Sequence, residues 1–173
     1  MSKLVLIDGN AILHRAFHAM PPLTTRSGEP INAVYGLVSM FLRVIQDLKP
    51  DAIAVAFDLK EPTFRHKEFK KYQSQRPPTA DELSSQFEKA KDFFKAAKVP
   101  IYSMPGFEAD DVIGTIANKS KGEVVIITGD RDILQLVDDK KGIKLYMPIA
   151  GLANAKLFGE AETLARMGVP ADR

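Results

Sequence analysis

Seven acidic residues stand where predicted strands end or where a predicted helix begins. They are Asp8, Asp58, Glu108, Asp110, Asp111, Asp130 and Asp132. Parallel strands end at a common edge of a sheet, and open α/β folds bind their ligands at that edge. Acids gathered there repel one another unless a cation lies between them. Because oxygen is the only ligand type on offer, the pattern predicts a pair of hard divalent ions, Mg²⁺ or Mn²⁺.

Two such ions, about 3.5–4 Å apart, can activate a water molecule and stabilise the leaving oxygen in phosphodiester hydrolysis. The sequence offers no Ser-His-Asp or Cys-His arrangement and no glycine-rich nucleotide loop, so other chemistries lack support. Taken singly, each acid has a simpler interpretation as a turn former, a helix cap or a partner of a helix dipole. His14 and His18 are interpreted as surface or packing residues. The combination of acids is what favours a metal site.

A basic segment lies close to these acids in the sequence. Residues 60 to 76 contain six Lys and Arg against two Glu, a net charge of +4, whereas the whole chain carries +2. A basic element on an otherwise mildly acidic body predicts contact with a polyanion. The alternative interpretation is a solvated basic helix, which we would favour if the acids were absent.

Apolar runs alternate with segments of helical period, which predicts one α/β domain with a mainly parallel central sheet flanked by helices. The predicted strands cover residues 3–7, 53–57, 101–104, 124–128 and 143–147. The predicted helices cover residues 10–19, 32–48, 80–97, 108–119, 132–137 and 160–167. Thr79–Glu82 has the form of a capping box, and a loop is expected before the last helix. The apolar stripe of the second helix is predicted to comprise Val34, Leu37, Val38, Phe41, Leu42 and Ile45.

Composition limits the class of protein. With 45% hydrophobic and 27% charged residues, the 173-residue chain has the composition of a globular domain. The absence of cysteine excludes disulfides and thiolate metal sites and fits a reducing cytoplasm. No signal peptide is recognisable, and no apolar run approaches the roughly 20 residues that span a bilayer.

Several motifs occur in an order and spacing that identify a family. They are Leu4-Val5-Leu6-Ile7-Asp8-Gly9-Asn10 with Arg15, Ala33-Val34-Tyr35-Gly36, Ala54-Val55-Ala56-Phe57-Asp58, Thr63-Phe64-Arg65-His66, Arg76-Pro77-Pro78, Glu108-Ala109-Asp110-Asp111-Val112-Ile113-Gly114 and Thr128-Gly129-Asp130-Arg131-Asp132. Over residues 3 to 140 the chain resembles the 5′-nuclease domains of bacterial type I DNA polymerases. These domains belong to the flap endonuclease and 5′–3′ exonuclease family, which has a PIN-like α/β fold with a helical arch.

The resemblance implies roles for particular residues. A first metal site is implied at Asp8, Asp58, Glu108, Asp110 and Asp111, with Asp130 and Asp132 helping to form the second. An arch at about residues 60–80 is implied to pass the 5′ single strand, with Phe69 and Tyr72 able to stack on bases. The DNA-contacting residues are implied to be Arg15, Arg65, Lys70, Lys71, Tyr72 and Arg76, of which Arg76 also takes part in catalysis.

The same resemblance implies the substrate and the setting. The expected activity is Mg²⁺- or Mn²⁺-dependent hydrolysis of DNA at 5′ flaps, nicks or single-stranded 5′ ends, and of RNA primers, during replication and repair. The expected setting is a bacterial cytoplasm at the nucleoid, with no membrane partner, a monomeric state and a polymerase domain fused downstream. Residues 1–155 are predicted to form the nuclease domain, and residues 156–173 to begin the connection to a C-terminal DNA-binding subdomain.

Two departures from the family pattern leave alternatives open. Gln73 stands where the family usually has a lysine that reaches toward the scissile phosphate, so stabilisation of the developing oxyanion is expected to be weaker. The sequence also stops at Arg173, before the Gly-Asp-Ser-Ser-Asp-Asn motif and the helix–three-turn–helix element. The alternatives are therefore a non-catalytic DNA-binding remnant with an incomplete metal site, or a PIN-type ribonuclease. The basic segment argues against the ribonuclease.

Overall fold

The computed structural model describes residues 2–75, 78–150 and 154–171. The strands are β1 (Lys3–Asp8), β2 (Ala52–Ala56), β3 (Ile101–Tyr102), β4 (Glu123–Ile127), β5 (Ile143–Ala150) and β6 (Asn154–Phe158). The helices are α1 (Gly9–Ala19), α2 (Asn32–Leu48), α3 (Phe64–Glu68), α4 (Asp81–Ala96), α5 (Ala109–Lys119) and α6 (Glu160–Met167). A 3₁₀ helix covers Asp132–Leu136.

The six strands form one sheet in the order β3-β2-β1-β4-β5-β6. All neighbours pair in parallel except β5 and β6, which are antiparallel. The chain builds outward from β1 in one direction through β2 and β3, and in the other direction through β4 and β5. The boundary between β1 and β4 is therefore the switch point at which open α/β sheets form a crevice beyond their carboxyl ends. The predicted α/β class and mainly parallel sheet are confirmed.

Side chains alternate between the two faces of the sheet, and each face is covered by helices. Val5 and Ile7 of β1 belong to the apolar cluster under α1, α2 and α4, whereas Leu6 belongs to the cluster under α5 and the 3₁₀ helix. β1 is therefore buried on both faces, which explains why its sequence is apolar without alternation. The central strands are held rigidly, and so are the residues at their ends.

A buried glutamine joins α4 to the beginning of α2. Ile31, at the N-cap position of α2, makes no side-chain cap. Instead, Oε1 of the fully buried Gln86 accepts hydrogen bonds from the N–H groups of Ala33 (2.8 Å) and Val34 (3.1 Å). Its Nε2 donates to Oδ1 of Asn32 at 2.9 Å. Gln86 therefore satisfies helix-end donors that would otherwise be buried without partners.

Three predictions about local structure are wrong. Residues 154–158 form β6 rather than a loop. The predicted domain division at residue 155 lies within this strand and stays a prediction. Helix α4 has Ala80 at its N-cap without a side-chain cap, because Thr79 lies one residue too early for the expected capping box. In α2, Leu42 and Ile45 are 58% and 40% exposed. Val34, Leu37 and Phe41 of the predicted stripe are buried, and the buried face also includes Ala33, Met40 and Val44.

The basic insert, which we define as residues 60–80, contains the short helix α3 followed by turns over residues 70–75. Thr63 is the N-cap residue of this helix, and its N–H donates to Nδ1 of His66 at 3.2 Å. The backbone N–H of Phe64 donates to the carbonyl of Gly106 at 2.9 Å, which ties the insert to the loop before α5. Among the helices that the structure describes, none has the length and apolar character needed to cross a bilayer.

Candidate functional site

The ends of β1, β2 and β4 bring three aspartates to one edge of the sheet. Asp8 is the last residue of β1 and pairs in register with Ala56 of β2. Asp58 follows β2 by two residues, and Asp130 follows β4 by three. Because β2 and β4 both pair in parallel with β1, the topology places the three carboxylates at the switch point of the sheet.

Asp8 is the buried member of this group, with 3% of its surface exposed. Its Oδ1 accepts a hydrogen bond from the N–H of Ala11 at 2.9 Å and so caps α1. Its Oδ2 accepts from Oγ1 of Thr128 at 2.8 Å. Burial, aided by the nearby carboxylates of Asp58 and Asp130, raises the pKa of Asp8 to about 6, although the two hydrogen bonds act in the opposite direction and lower it.

Close packing behind Asp8 explains the glycine that follows it. A Cβ atom on Gly9 would lie 2.5 Å from the ring of Phe57. The chain can therefore turn from β1 into α1 against this ring only with glycine at that position.

Asp58 is exposed and joins two elements that flank it. Its Oδ1 accepts a hydrogen bond from the N–H of Ala109 at 2.6 Å, and so it caps the first turn of α5 from outside the helix. Its own N–H donates to Oδ1 of Asn10 at 3.0 Å. The hydrogen bond from Ala109 brings the acidic start of α5 to the carboxyl end of β2.

Asp110 lies on α5 and faces the strand ends. Its pKa is raised to about 7, chiefly by burial and then by the carboxylates of Asp8, Asp130 and Asp58, in that order. Glu108 makes a smaller contribution in the same direction. The structure therefore brings Asp8, Asp58, Asp110 and Asp130 close enough for their charges to act on one another. We call these four residues the acidic cluster.

Thr128 connects two members of the acidic cluster. Its hydroxyl donates to Asp8 and accepts a hydrogen bond from the N–H of Asp130 at 3.0 Å. Oδ1 of Asp130 in turn accepts from the N–H of Asp132, also at 3.0 Å. Asp132 is exposed at the start of the 3₁₀ helix and lines the same cleft as Asp110. Sequence analysis did not single out Thr128, although it lies within a motif that carries the resemblance.

Glu108, the N-cap residue of α5, and Asp111 in its first turn both contact Arg65 of the basic insert. The guanidinium of Arg65 donates two parallel hydrogen bonds to the carboxylate of Asp111, each 2.7 Å long. Its Nη1 is also 3.4 Å from Oε2 of Glu108. The hydrogen bonds from Arg65 lower the pKa of Asp111. These two acids are therefore already paired with a cation.

Two further side chains of the insert contact Glu108. The hydroxyl of Tyr72 donates to Oε2 at 3.1 Å, and Nε2 of Gln73 donates to Oε1 at 3.4 Å. Gln73 adopts a left-handed backbone conformation with φ of 53°. A cleft of about 1200 Å³ lies beside these groups, with Phe64, Tyr72 and Phe107 as well as the acids of α5 in its walls.

A second, smaller cleft of about 510 Å³ lies on the α1 side of Asp130 and is lined by His14, Arg15 and His18. Nε of Arg15 is buried and has no hydrogen-bond partner within the described part of the chain. The predicted DNA-contacting residues Lys70 and Lys71 are exposed in the turns of the insert. Arg76 lies outside the described residues.

The donor set of the site fits a hard divalent cation. It consists of carboxylate oxygens, and two of the carboxyl groups bind protons more tightly because they are buried and, to a smaller extent, because other carboxylates lie nearby. As the side chains stand, no three Asp, Glu or His residues in the described ranges are close enough together to hold one ion. Binding therefore requires side chains to move, and the metal-ligand roles stay a prediction.

Comparison with known proteins identifies the family. The profile of the family described as 5′-3′ exonuclease, N-terminal resolvase-like domain, matches residues 3–168. The chain belongs to this family. It is 44% identical over 146 residues to DNA polymerase I of Caldicellulosiruptor bescii, covering 83% of this chain and 17% of that protein. It is 46% identical over 140 residues to DNA polymerase I of Pseudomonas aeruginosa, covering 79% and 15%. The chain thus spans less than a fifth of either relative.

Solved structures show the same fold. The T5 D15 protein, co-crystallised with metal ions, superposes with a TM-score of 0.73 at 21% identity, covering 98% of this chain and 63% of that one. Human GEN1, in complex with Holliday junction DNA, gives a TM-score of 0.56 at 12% identity, covering 98% and 41%. The resemblance to the 5′-nuclease family and its PIN-like fold is thereby confirmed.

Proposed function

We propose that this chain is the catalytic part of a metal-dependent 5′-nuclease that hydrolyses phosphodiester bonds in DNA at 5′ flaps, nicks and single-stranded 5′ ends. The observation that carries the proposal is the acidic cluster at the switch point of the sheet, in a chain that belongs to the 5′-3′ exonuclease family. A site rich in carboxylates and poor in nucleophiles suits hydrolysis by an activated water molecule.

The acidic cluster and Glu108 would hold the cations, and Asp111 and Asp132 would complete or position the ligand set. When bound, two Mg²⁺ or Mn²⁺ ions lower the pKa of a water molecule and stabilise the charge on the leaving oxygen. Thr128 keeps Asp8 and Asp130 in place through its hydroxyl. The hydrogen bond from Ala109 fixes Asp58 against α5. These contacts hold the ligands on rigid elements, which is what a metal centre requires.

The substrate approaches from the side of the basic insert. Lys70 and Lys71 are exposed there and attract phosphates, and Arg15 beside Asp130 offers a third cationic contact. The ring of Phe69 is 64% exposed and is available to stack on an unpaired base. Arg76, which lies outside the described residues, is also proposed to contact phosphates.

The wider setting is also part of the proposal. Because the relatives are bacterial DNA polymerases of which this chain spans less than a fifth, we propose that a polymerase follows and that the activity serves replication and repair, including primer removal. The T5 D15 flap endonuclease has been crystallised with DNA and metal ions, which agrees with this proposal without carrying it. The protein is proposed to act as a monomer on DNA in the cytoplasm.

Cleavage of a 5′-flap DNA substrate in Mg²⁺ tests the proposal. We expect the wild-type chain to cleave the substrate and to stop cleaving when EDTA is added. In Asp110→Ala the cleavage rate should fall by at least about a hundredfold, which is the usual effect of removing one electrostatic contact to the transition state. Asp92→Ala is the matched control, because Asp92 is exposed on α4 and pairs with Lys95. The control variant should cleave as the wild type does.

Other outcomes separate the alternatives. Binding of the flap substrate without cleavage at any Mg²⁺ or Mn²⁺ concentration would show a DNA-binding remnant. Faster cleavage of single-stranded RNA than of the DNA flap would show a ribonuclease. Cleavage that resists EDTA would contradict the metal-dependent mechanism.

A further inference from the structure

The carboxylate of Glu108 is occupied by three side chains of the basic insert. Oε2 accepts a hydrogen bond from the hydroxyl of Tyr72 at 3.1 Å and lies 3.4 Å from Nη1 of Arg65. Oε1 accepts a hydrogen bond from Nε2 of Gln73 at 3.4 Å. Both oxygen atoms of this side chain therefore face the insert, although Glu108 directly precedes α5 and is close enough to Asp110 to raise its pKa.

Arg65 and Tyr72, which contact Glu108, are themselves fixed by further contacts. Arg65 is fixed by its two hydrogen bonds to Asp111, and its guanidinium lies over the ring of Phe64 at 4.6 Å. The ring of Tyr72 meets His66 edge to face, with centroids 5.2 Å apart. The contacts to Glu108 thus belong to a connected set of interactions at the base of the insert and are not isolated surface contacts.

We propose that Tyr72 and Gln73 are positioning residues that hold Glu108 on the insert, so that docking of the insert and ligation of a divalent cation by Glu108 compete for the same two oxygen atoms. The inference rests on the proposed function, since it concerns the metal centre of the same site. A group that binds either of two partners links them reciprocally. Release of the insert therefore raises the affinity for the cation, and the cation loosens the insert.

The residue type at position 73 sets the strength of this competition. Gln73 is neutral and its hydrogen bond to Oε1 is long. A lysine in its place would make a charge-assisted hydrogen bond, about twice as strong as a neutral one. It would also place a positive charge beside the site that must accept a cation. Gln73 therefore makes Glu108 easier to release than lysine would.

Titration of the metal-free chain with Mn²⁺ by calorimetry tests the competition without any substrate. Tyr72→Phe removes one hydrogen bond to Glu108 and should tighten Mn²⁺ binding roughly threefold to tenfold, the factor that corresponds to the usual net contribution of one intramolecular hydrogen bond. Gln73→Lys should weaken it by a similar factor. Tyr35→Phe is the matched control, because Tyr35 is exposed on α2. Equal unfolding midpoints for the variants in EDTA would show that the changes are not caused by misfolding.

Limited digestion with trypsin measures whether cation binding loosens the insert. Lys70 and Lys71 are exposed in the insert, where trypsin can cleave after them. Mn²⁺ should speed this cleavage in the wild type. The effect of Mn²⁺ should be smaller in Tyr72→Phe, because the insert of that variant is already loosened. Unchanged Mn²⁺ affinity in both variants, or tighter binding in Gln73→Lys, would overturn the inference and leave the proposed function intact. Failure of the wild type to bind Mn²⁺ at all would overturn both.

Discussion

Thr128 donates its hydroxyl proton to Oδ2 of Asp8 at 2.8 Å, across a sequence separation of 120 residues. The hydroxyl oxygen of Thr128 also accepts a hydrogen bond from the N–H of Asp130. One buried hydroxyl therefore fixes the relative positions of two carboxylates that arrive on different strands. A buried acid with few donors would have a still higher pKa, so this hydrogen bond also helps to keep Asp8 ionisable near neutral pH.

Replacing Thr128 with valine, which has nearly the same shape, should remove both hydrogen bonds and leave buried polar groups unpaired. The expected cost is about 1–3 kcal/mol of unfolding free energy, the usual penalty for an unsatisfied buried group. Urea denaturation of the metal-free chain measures it. Thr128→Ser keeps the hydroxyl and serves as the control. Equal stability of the valine and serine variants would show that the hydroxyl is not the important group.

The acids at the strand ends could be predicted because their positions follow from local patterns. An apolar run that ends in aspartate indicates a buried strand, and parallel topology then brings such ends together. The role of Thr128 could not be predicted, because its partner Asp8 is remote in sequence and only the pairing of β1 with β4 brings the two together. Asn10 was missed for the same reason, since its partner is the N–H of Asp58.

The pKa values of Asp110 and Asp8, about 7 and about 6, predict how pH changes the stability of the metal-free fold. Both lie above the ordinary value of 3.8, so the folded state binds protons more tightly than the unfolded state does. The resulting stabilisation is fully present below about pH 4 and is lost as pH rises through the folded-state values. The melting temperature in EDTA should therefore fall between pH 5 and pH 8.

Asp110→Asn isolates the contribution of one group to this decline. The variant cannot ionise at that position, so in EDTA it should melt at a higher temperature than the wild type at pH 8, with a much smaller difference at pH 5. Asp92→Asn, on the exposed face of α4, should show no such divergence. A wild-type melting temperature that rises from pH 5 to pH 8 would contradict the proximity of the four carboxylates.

Gln86 is expected to matter as much for stability as a large apolar residue. Gln86→Leu leaves the N–H groups of Ala33 and Val34 and the amide of Asn32 without their buried partner. The expected loss is on the order of 3 kcal/mol, because each unsatisfied buried group costs about 1–3 kcal/mol. Urea denaturation measures the loss, and Gln46→Leu on the exposed side of α2 is the matched control. A loss of unfolding free energy smaller than that of the control would show that the N–H groups at the start of α2 form other hydrogen bonds.

The wrong predictions share a physical cause, since in each case tertiary contacts decide what local sequence leaves open. The segment 154–158 has no β-branched residue, yet it is a strand because β5 offers it a pairing edge. Helix α2 is apolar on most sides, so only the position of α1 and α4 selects its buried face. Arg65, for which the resemblance implies DNA contact, pairs in this fold with Asp111, 46 residues away, and its contact with DNA stays a prediction.

The two edge strands of the sheet, β3 and β6, are the places where the sheet of another molecule could pair with this one in a concentrated solution. β3 has two residues, which is too short to template a new strand. β6, at the opposite side, carries Lys156 with its ammonium 5.8 Å from the ring of Phe158, so an incoming strand would have to displace or bury a charge. The four buried strands between them are apolar and would aggregate readily if exposed. The sheet is therefore protected against growth into fibrils at the two edges where growth could begin.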